Sequence, residues 1–296
     1  MVKLERYKEN PILEPIKEHS WESVNVSNAG AVIHEGKVFL LYRAEGEERR
    51  KSCNWPVARL GLAISKDGFN IDYRSKNPVL EAKEPYDAIE DPRITKIGDV
   101  YYIIYVLTSI YGDRIGLATT KDFVTFNDHG PIMDDISQRT SGLFPKKING
   151  NYLLMHRILP NIWLSKTRDF RKWYDSKIIL KTKFGCWDEV KIGIGAPPIE
   201  TENAWVLFYH GVDSHKVYRL GIAWLDKDDP SKVIKRQDSP ILEPEEDYEK
   251  NGFTPNTVYT CGAVEKDGKY IVYYGCCDSV LAAATVEKEK VVREIY

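Results

Sequence analysis

The chain has 296 residues, 43% of them hydrophobic and 11% aromatic, and a formal net charge of −2 at pH 7. That balance argues against a broad nucleic-acid footprint while leaving room for a small cationic pocket, and no run of 18 apolar residues offers a membrane span. Met1-Val2-Lys3-Leu4-Glu5-Arg6 has no apolar signal region, so a cytoplasmic location is expected.

From the N-terminus, Asn10-Pro11-Ile12-Leu13 is a short edge-type segment with Pro near its start, where a strand tolerates it. The first of five similar units follows. Gly36 opens a dense apolar strand ending at Tyr42, and Leu60-Gly61-Leu62-Ala63 forms a second strand rich in small residues. Another edge segment, Asn77-Pro78-Val79-Leu80, comes next. The second unit predicts four strands: Arg93–Ile97, Val100–Val106, Ile115–Thr119 and an outer one near Pro131-Ile132-Met133. The apolar strand then recurs from Gly150 to His156, Asn203 to His210 and Gly268 to Tyr274, each time followed by a partner strand. Ser239-Pro240-Ile241-Leu242 repeats the edge segment. Lys66-Asp67-Gly68, Asn149-Gly150 and Lys266-Asp267-Gly268 are hairpin signals. No sustained 3.6-residue period predicts helix.

The strand ends at 42, 105, 156, 210 and 274 divide the chain into five units of roughly 59 residues, leaving no room for a second domain. Four-stranded units repeated radially make a β-propeller. The expectation is an all-β, five-bladed β-propeller of four antiparallel strands per blade over residues 1–296, with Asn10–Leu13 closing the ring on the last blade. A stacked solenoid is the second choice, because units of this length are long for it. The five Cys (53, 186, 261, 276 and 277) show no paired spacing, and adjacent Cys276-Cys277 at a strand end read as buried thiols.

Inner strands of a propeller line one axis, and the segments just before them form its mouth. They read Ser27-Asn28-Ala29-Gly30, Ile89-Glu90-Asp91-Pro92-Arg93, Arg139-Thr140-Ser141-Gly142, Lys191–Gly195 and Pro255-Asn256-Thr257. Pro92 should hold Asp91 extended and fix its aim, with Arg93 turned to the other side and free to pair with Glu90. The bland reading is a turn-forming Asp-Pro beside a surface ion pair. Arg139, Arg157, Lys191 and His210 lie at or beside inner strands. Each alone reads as an ion-pair partner, whereas together they could enclose one anion. Arg43 is placed to hold a sugar hydroxyl or Asp91. Asp278 either accepts from sugar hydroxyls or closes an Asx-turn. Trp55, Trp187 and Tyr111 read as a stacking wall or as blade packing, and His34, His129 and His215 as surface residues with no metal spacing. Lys191–Pro198 lacks the ending of a nucleotide loop, and no Gly-x-Ser-x-Gly or His-Glu-x-x-His occurs.

At these residues the chain resembles glycoside hydrolase family 130, the inverting β-mannoside phosphorylases on a five-bladed propeller. The matching segments include Tyr42-Arg43-Ala44-Glu45-Gly46, Glu90-Asp91-Pro92-Arg93, Leu143-Phe144-Pro145, His156-Arg157, Tyr209-His210-Gly211-Val212, Asp229–Ile234 and Tyr273-Tyr274-Gly275. The resemblance implies Asp91 as general acid acting through the mannose 3-hydroxyl. It implies phosphate binding by Arg139, Arg157, Lys191 and His210, and mannosyl binding by Asn28, Arg43 and Asp278. It implies no cofactor and no metal, with a β-mannoside oligosaccharide and inorganic phosphate as partners. Arg139-Thr140 departs from the Lys-Asp or similar pair common in the family. Compactness favours β-1,2-mannobiose or oligomannan over β-1,4-mannooligosaccharide as substrate, with the acceptor side built by loops 46–58, 107–113 and 181–190. A plain inverting glycosidase would need a base, for which Glu45, Glu90 and Asp87 are candidates; a non-catalytic glycan-binding propeller is the third reading. Propeller edges and the charged N-terminal segment offer surfaces for a homo-oligomer.

Overall fold

The computed structural model describes residues 1–133 and 136–295. Five antiparallel sheets succeed one another along the chain. Blade 1 comprises Asn25–His34, Lys37–Arg49, Pro56–Ser65 and Tyr73–Arg74, and blade 2 comprises Ala88–Ile97, Val100–Thr108, Arg114–Thr120 and Asn127–Met133. Blade 3 is Arg139–Leu143, Tyr152–Ile158, Asn161–Thr167 and Tyr174–Leu180. Blade 4 is Lys191–Ile194, Ala204–Val212, Tyr218–Asp226 and Val233–Arg236, with Ile199–Glu200 as an extra short strand. Blade 5 is Val258–Lys266, Lys269–Cys276 and Val280–Glu287, and its outer strand is the N-terminal Glu5–Arg6. The inner strand of blade 5 packs against that of blade 1, so the sheets form a ring. Leu13 also bridges Leu281, so the N-terminal segment closes the ring on the last blade as expected.

The dense apolar strands are explained by burial on both faces. In Lys37–Arg49, Val38, Leu40 and Tyr42 face the core shared with blade 5, while Phe39 and Leu41 face the core shared with blade 2. A separate apolar cluster fills each of the five blade junctions. A strand buried on both faces cannot alternate polar with apolar, and its residues read as one continuous run.

The end of each such strand carries a latch. Tyr42, Tyr105 and Tyr209 lie directly across from Gly61, Gly116 and Gly221. A Cβ on any of those glycines would collide with the tyrosine ring, which is why the partner strand is rich in small residues. The hydroxyls donate to buried or half-buried carboxylates: Tyr42 to Glu22 (2.8 Å), Tyr105 to Asp128 (2.5 Å), Tyr209 to Asp188 (3.0 Å) and Tyr274 to Glu249 (2.9 Å). Blade 3 substitutes His156, whose Nε2 lies 2.7 Å from Ser165 Oγ. In blade 4 the latch residue is therefore Tyr209, one position before the strand end expected from the sequence.

The hairpin turns Glu35-Gly36, Asn149-Gly150 and Asp267-Gly268 have φ of 49° and 75°, 50° and 77°, and 50° and 78°. Both central residues thus take the left-handed conformation that matches strand twist. The edge segments pair by single bridges with third strands, Leu80 with Leu60 and Leu242 with Leu220, while separate short strands are outermost. Helix is confined to Asp247–Lys250 and Lys288–Arg293 among the described residues.

Candidate active site

The mouth segments of the first three blades lie inside the inner strands, as β-bulges. Pairing shifts register between Ser27 and Gly30, between Glu90 and Arg93, and between Arg139 and Gly142. Each bulge places one residue at positive φ: Asn28 at 50°, Asp91 at 51° and Thr140 at 50°. Asp91 is therefore left-handed and not extended, because the bulge overrides the bias imposed by Pro92. Asn and Asp enter this region most readily among residues other than Gly, which suits the sequence to the geometry. Bulges re-aim side chains beside functional sites.

A second tier comes from the residue after each latch. Arg43, Arg157 and His210 follow Tyr42, His156 and Tyr209, so alternation turns them to the opposite face. Across the inner pair they oppose Ser27, Arg139 and Gly193. The two tiers converge on a cavity of about 170 Å³ lined by Asn28, Arg43, Asp91, Arg139, Thr140, Arg157, Lys191 and Asp278, with Trp55, Glu90, Tyr218, Thr254, Thr257 and Tyr259. Seven of the eight residues singled out from sequence thus share one cavity. His210, fully buried, stands behind it.

On one side Asp91 Oδ1 accepts from Asn28 Nδ2 (2.9 Å) and Arg43 Nη1 (3.2 Å). Its Oδ2 has no hydrogen-bond donor among the described residues. Asn28 Nδ2 also reaches Asp278 Oδ1 (3.3 Å), to which Arg43 Nη2 donates, and Thr254 Oγ1 donates to Asp278 Oδ2 (2.7 Å). Asp278 thus belongs to the site and is more than a turn-closing residue. Burial works against the Arg43 charge, but Asp278, Glu45, Asp91 and Glu90 overcome it and hold the guanidinium firmly protonated.

The other side is cationic and poorly compensated. Arg157 is 9% exposed and forms no ion pair with any described carboxylate. Burial pulls its pKa down, and neighbouring Arg139 adds to the pull. Its Nη1 donates toward His210 Nε2 at 3.4 Å. His210 is held neutral, well below the usual imidazole range, first by burial and then by Arg157. It serves as a polar backing, not as a fourth cation. Lys191 lies 5.1 Å from the Tyr218 ring centroid, a cation–π contact, and likewise pairs with no described carboxylate.

Glu90 is surrounded. Arg50 and Arg139 each form an ion pair with one of its oxygens, and Arg43 lies 3.9 Å away. Burial raises its proton affinity, but the three guanidiniums outweigh that and bring its pKa to about 2. Arg93 does not pair with it. Instead Arg93 crosses the axis, donating to Gly195 O (2.6 Å), Ile194 O (3.0 Å), Tyr259 OH (3.0 Å) and the carbonyl of Asp91 (2.9 Å), so it pins the bulge. Asp87 accepts from Ser52 N (2.9 Å), outside the cavity lining, and Glu45 accepts from Asn25 Nδ2 (2.9 Å).

Of the loop aromatics, Trp55 lines the cavity and meets Phe253 edge-on at 5.3 Å. Trp187 stacks on Tyr209 at 5.6 Å and donates to Asp238 O, as blade packing, and Tyr111 is exposed outside the cavity lining. His34 packs on Phe39 and Tyr101 and is only partly a surface residue, while His129 and His215 are exposed. Cys261, Cys276 and Cys277 are buried; Cys53 is exposed and Cys186 half-buried. Among the described residues no group of three or more His, Cys, Asp or Glu is arranged to hold a metal, and no helix is long and apolar enough to cross a membrane. Sequence reasoning missed Arg50, Thr254, Tyr218 and Tyr259. Thr140 lay within a quoted segment, and its bulge equivalence with Asn28 and Asp91 was the available signal.

Known proteins resemble this chain over nearly its full length. A family model described as beta-1,4-mannooligosaccharide phosphorylase matches residues 3–296. The chain is 46% identical to a beta-1,2-mannobiose phosphorylase and 42% identical to a 1,2-beta-oligomannan phosphorylase, both of Thermoanaerobacter sp. (strain X514), each over 98% of this chain and 99% of the relative. It also superimposes on the beta-1,2-mannobiose phosphorylase of Listeria innocua, solved with beta-1,2-mannobiose, with a TM-score of 0.90 at 29% identity over 99% of both chains.

Proposed function

The chain belongs to glycoside hydrolase family 130, and from that membership we propose that it catalyses reversible phosphorolysis of β-1,2-linked mannobiose or oligomannan. The products are α-mannose 1-phosphate and a sugar one residue shorter. The observation that carries this reading is the pair of cations, Arg157 and Lys191, that share a cavity with Asp91 and have no carboxylate partner among the described residues. A buried unpaired charge is costly, and an anionic co-substrate supplies the missing partner.

Inorganic phosphate is already a nucleophile, so the reaction needs an acid and a cradle but no base. Arg157 and Lys191 hold the phosphate, with Arg139 at the cavity edge. Asn28, Arg43 and Asp278 hold the mannosyl unit. A phosphate oxygen bonds the anomeric carbon as the glycosidic C–O bond breaks, with inversion. The bonding electrons go to the departing oxygen, which takes the proton of the mannose 3-hydroxyl, and Asp91 replaces that proton. The carboxylates that a hydrolytic route would recruit as base are otherwise engaged: Glu90 by guanidiniums, Asp87 by Ser52 and Glu45 by Asn25. Relatives at 42% and 46% identity are both named for β-1,2-linkages, which supports that linkage over β-1,4.

The test is release of mannose 1-phosphate from β-1,2- and β-1,4-mannobiose with and without phosphate. Cleavage of the β-1,2 substrate only when phosphate is present is expected. Equal cleavage without phosphate would exclude a phosphorylase, and faster β-1,4 cleavage would overturn the linkage.

A further inference from the structure

Two like charges face each other across blade 3. Arg139 and Arg157 are directly opposed on neighbouring strands, a placement that repulsion disfavours, and both line the catalytic cavity. Among the described residues only Arg139 of the two has counter-charges: Glu90 accepts from its Nη2, and Asp113 lies 3.5 Å from Nη1. Glu90 has no freedom of its own. Its Oε1 is ion-paired with Nη2 of Arg50, whose guanidinium is fixed by Nε donating to Pro56 O (2.7 Å) and Nη1 to Thr108 Oγ1 (3.2 Å). A bracket therefore runs from backbone to Arg50 to Glu90 to Arg139. Its last member, with 32% of the side chain exposed, is its open end.

Fold stability is a weak explanation for such a cluster, since desolvation of buried ion pairs offsets most of their Coulombic gain. Dividing one carboxylate between a fixed arginine and an open one has a mechanical use. We infer that Glu90 is a positioning residue of the anion site: it holds the Arg139 guanidinium beside Arg157 so that incoming phosphate meets two aimed cations, and Arg50 is the brace that fixes Glu90. This rests on the phosphorylase reading above. The rival role is neutralisation, in which Glu90 only damps positive charge; its removal would then strengthen anion binding.

The two roles separate in a titration of the full chain with inorganic phosphate, without sugar, followed by thermal shift, on wild type, Glu90→Ala and Arg50→Gln. Steady-state KM values for phosphate and mannoside accompany it. Positioning predicts that the phosphate dissociation constant and KM rise about ten- to a hundredfold in Glu90→Ala, and less but in the same direction in Arg50→Gln, while mannoside KM stays within about twofold. Should Glu90→Ala not fold, Arg50→Gln decides alone. Unchanged or tighter phosphate binding in the variants, with wild type binding normally, overturns this inference only. Wild type that ignores phosphate overturns the phosphorylase reading and this inference together.

Discussion

Replacing Arg157 with Met should make the phosphate-free protein more stable and nearly inactive. The side chain is 9% exposed, has no carboxylate partner among the described residues, and lies across from a second guanidinium. Its charge is a net cost to the folded state until an anion arrives. Exchanging buried charge for an apolar chain of similar length gains about 1–4 kcal/mol where burial dominates. At about 2 °C per kcal/mol for a chain of this size, Tm in phosphate-free buffer should rise by about 2–8 °C. Loss of one preorganised contact to a reacting anion should lower kcat/KM for phosphorolysis about 10²–10³-fold. Phosphate at about a hundred times its Kd should stabilise wild type by about 2.7 kcal/mol and leave the variant unmoved. Calorimetry with and without phosphate reads all of these except the rate. A lower Tm in phosphate-free buffer would show that Arg157 is compensated in the folded state and would refute the anion-site argument.

Three further outcomes are expected. Asp91→Asn keeps a residue suited to φ 51°, so the fold should persist while kcat falls about 10²–10⁴-fold; turnover near wild type would move the acid elsewhere. Gly275→Ala would drive a Cβ into Asn28, within 3.0 Å of its backbone nitrogen and against its side-chain oxygen. KM for the mannoside should then rise about tenfold or more through lost bonds to Asp91 and Asp278, and an unchanged KM would remove Asn28 from the sugar site. Burial holds the His156 pKa down to about 4 against an ordinary value near 6.5. Because the folded pKa is the lower one, stability from the neutral ring is complete above about pH 6.5 and lost as pH falls toward 4, at about 1.4 kcal/mol per unit. His156→Gln should flatten the stability slope in that window by this amount, and an unaltered slope would show that His156 is not what titrates.

The repeat was legible because burial on both faces forces a continuous apolar run, and five runs imply five blades. Asp91, Arg139 and Lys191 were legible because inner strands must meet at the axis. What escaped has physical reasons. The left-handed bulge at Asp91 depends on how Glu90 and Arg93 pair with the next strand, which the local bias of Pro92 does not report. The partner of Arg93 escaped because the side chain spans the axis to Gly195, about a hundred residues later. His210 reads as a cation by residue type, yet burial first and then Arg157 of the neighbouring blade hold its pKa well below the usual imidazole range. Arg50 carries no signal, since its contact with Glu90 depends on the length of the hairpin between Arg49 and Pro56. The latch register was readable: a Trp-acid pair, Trp21-Glu22 and Trp187-Asp188, precedes Tyr42 and Tyr209 by about the same distance.

The ring becomes a one-sided catalyst where its repeat is broken. The residue after each latch differs from blade to blade: Arg43, Val106, Arg157, His210 and Gly275, of which Arg43 and Arg157 line the cavity. Where that residue is large, its cross-strand partner can be small: His210 opposes Gly193, and a Cβ there would meet its ring at 2.6 Å. Where it is absent, as at Gly275, the side chain of Asn28 from the next blade fills the space. The same volume rule thus admits an imidazole inward from blade 4 and an amide from blade 1 beside blade 5, while on blade 3 Arg157 meets a second large residue, Arg139. On the proposed reading the anion enters beside Arg157 and Lys191 of blades 3 and 4 and the sugar beside Asn28 and Arg43 of blade 1, so that attack opposite the breaking bond gives inversion.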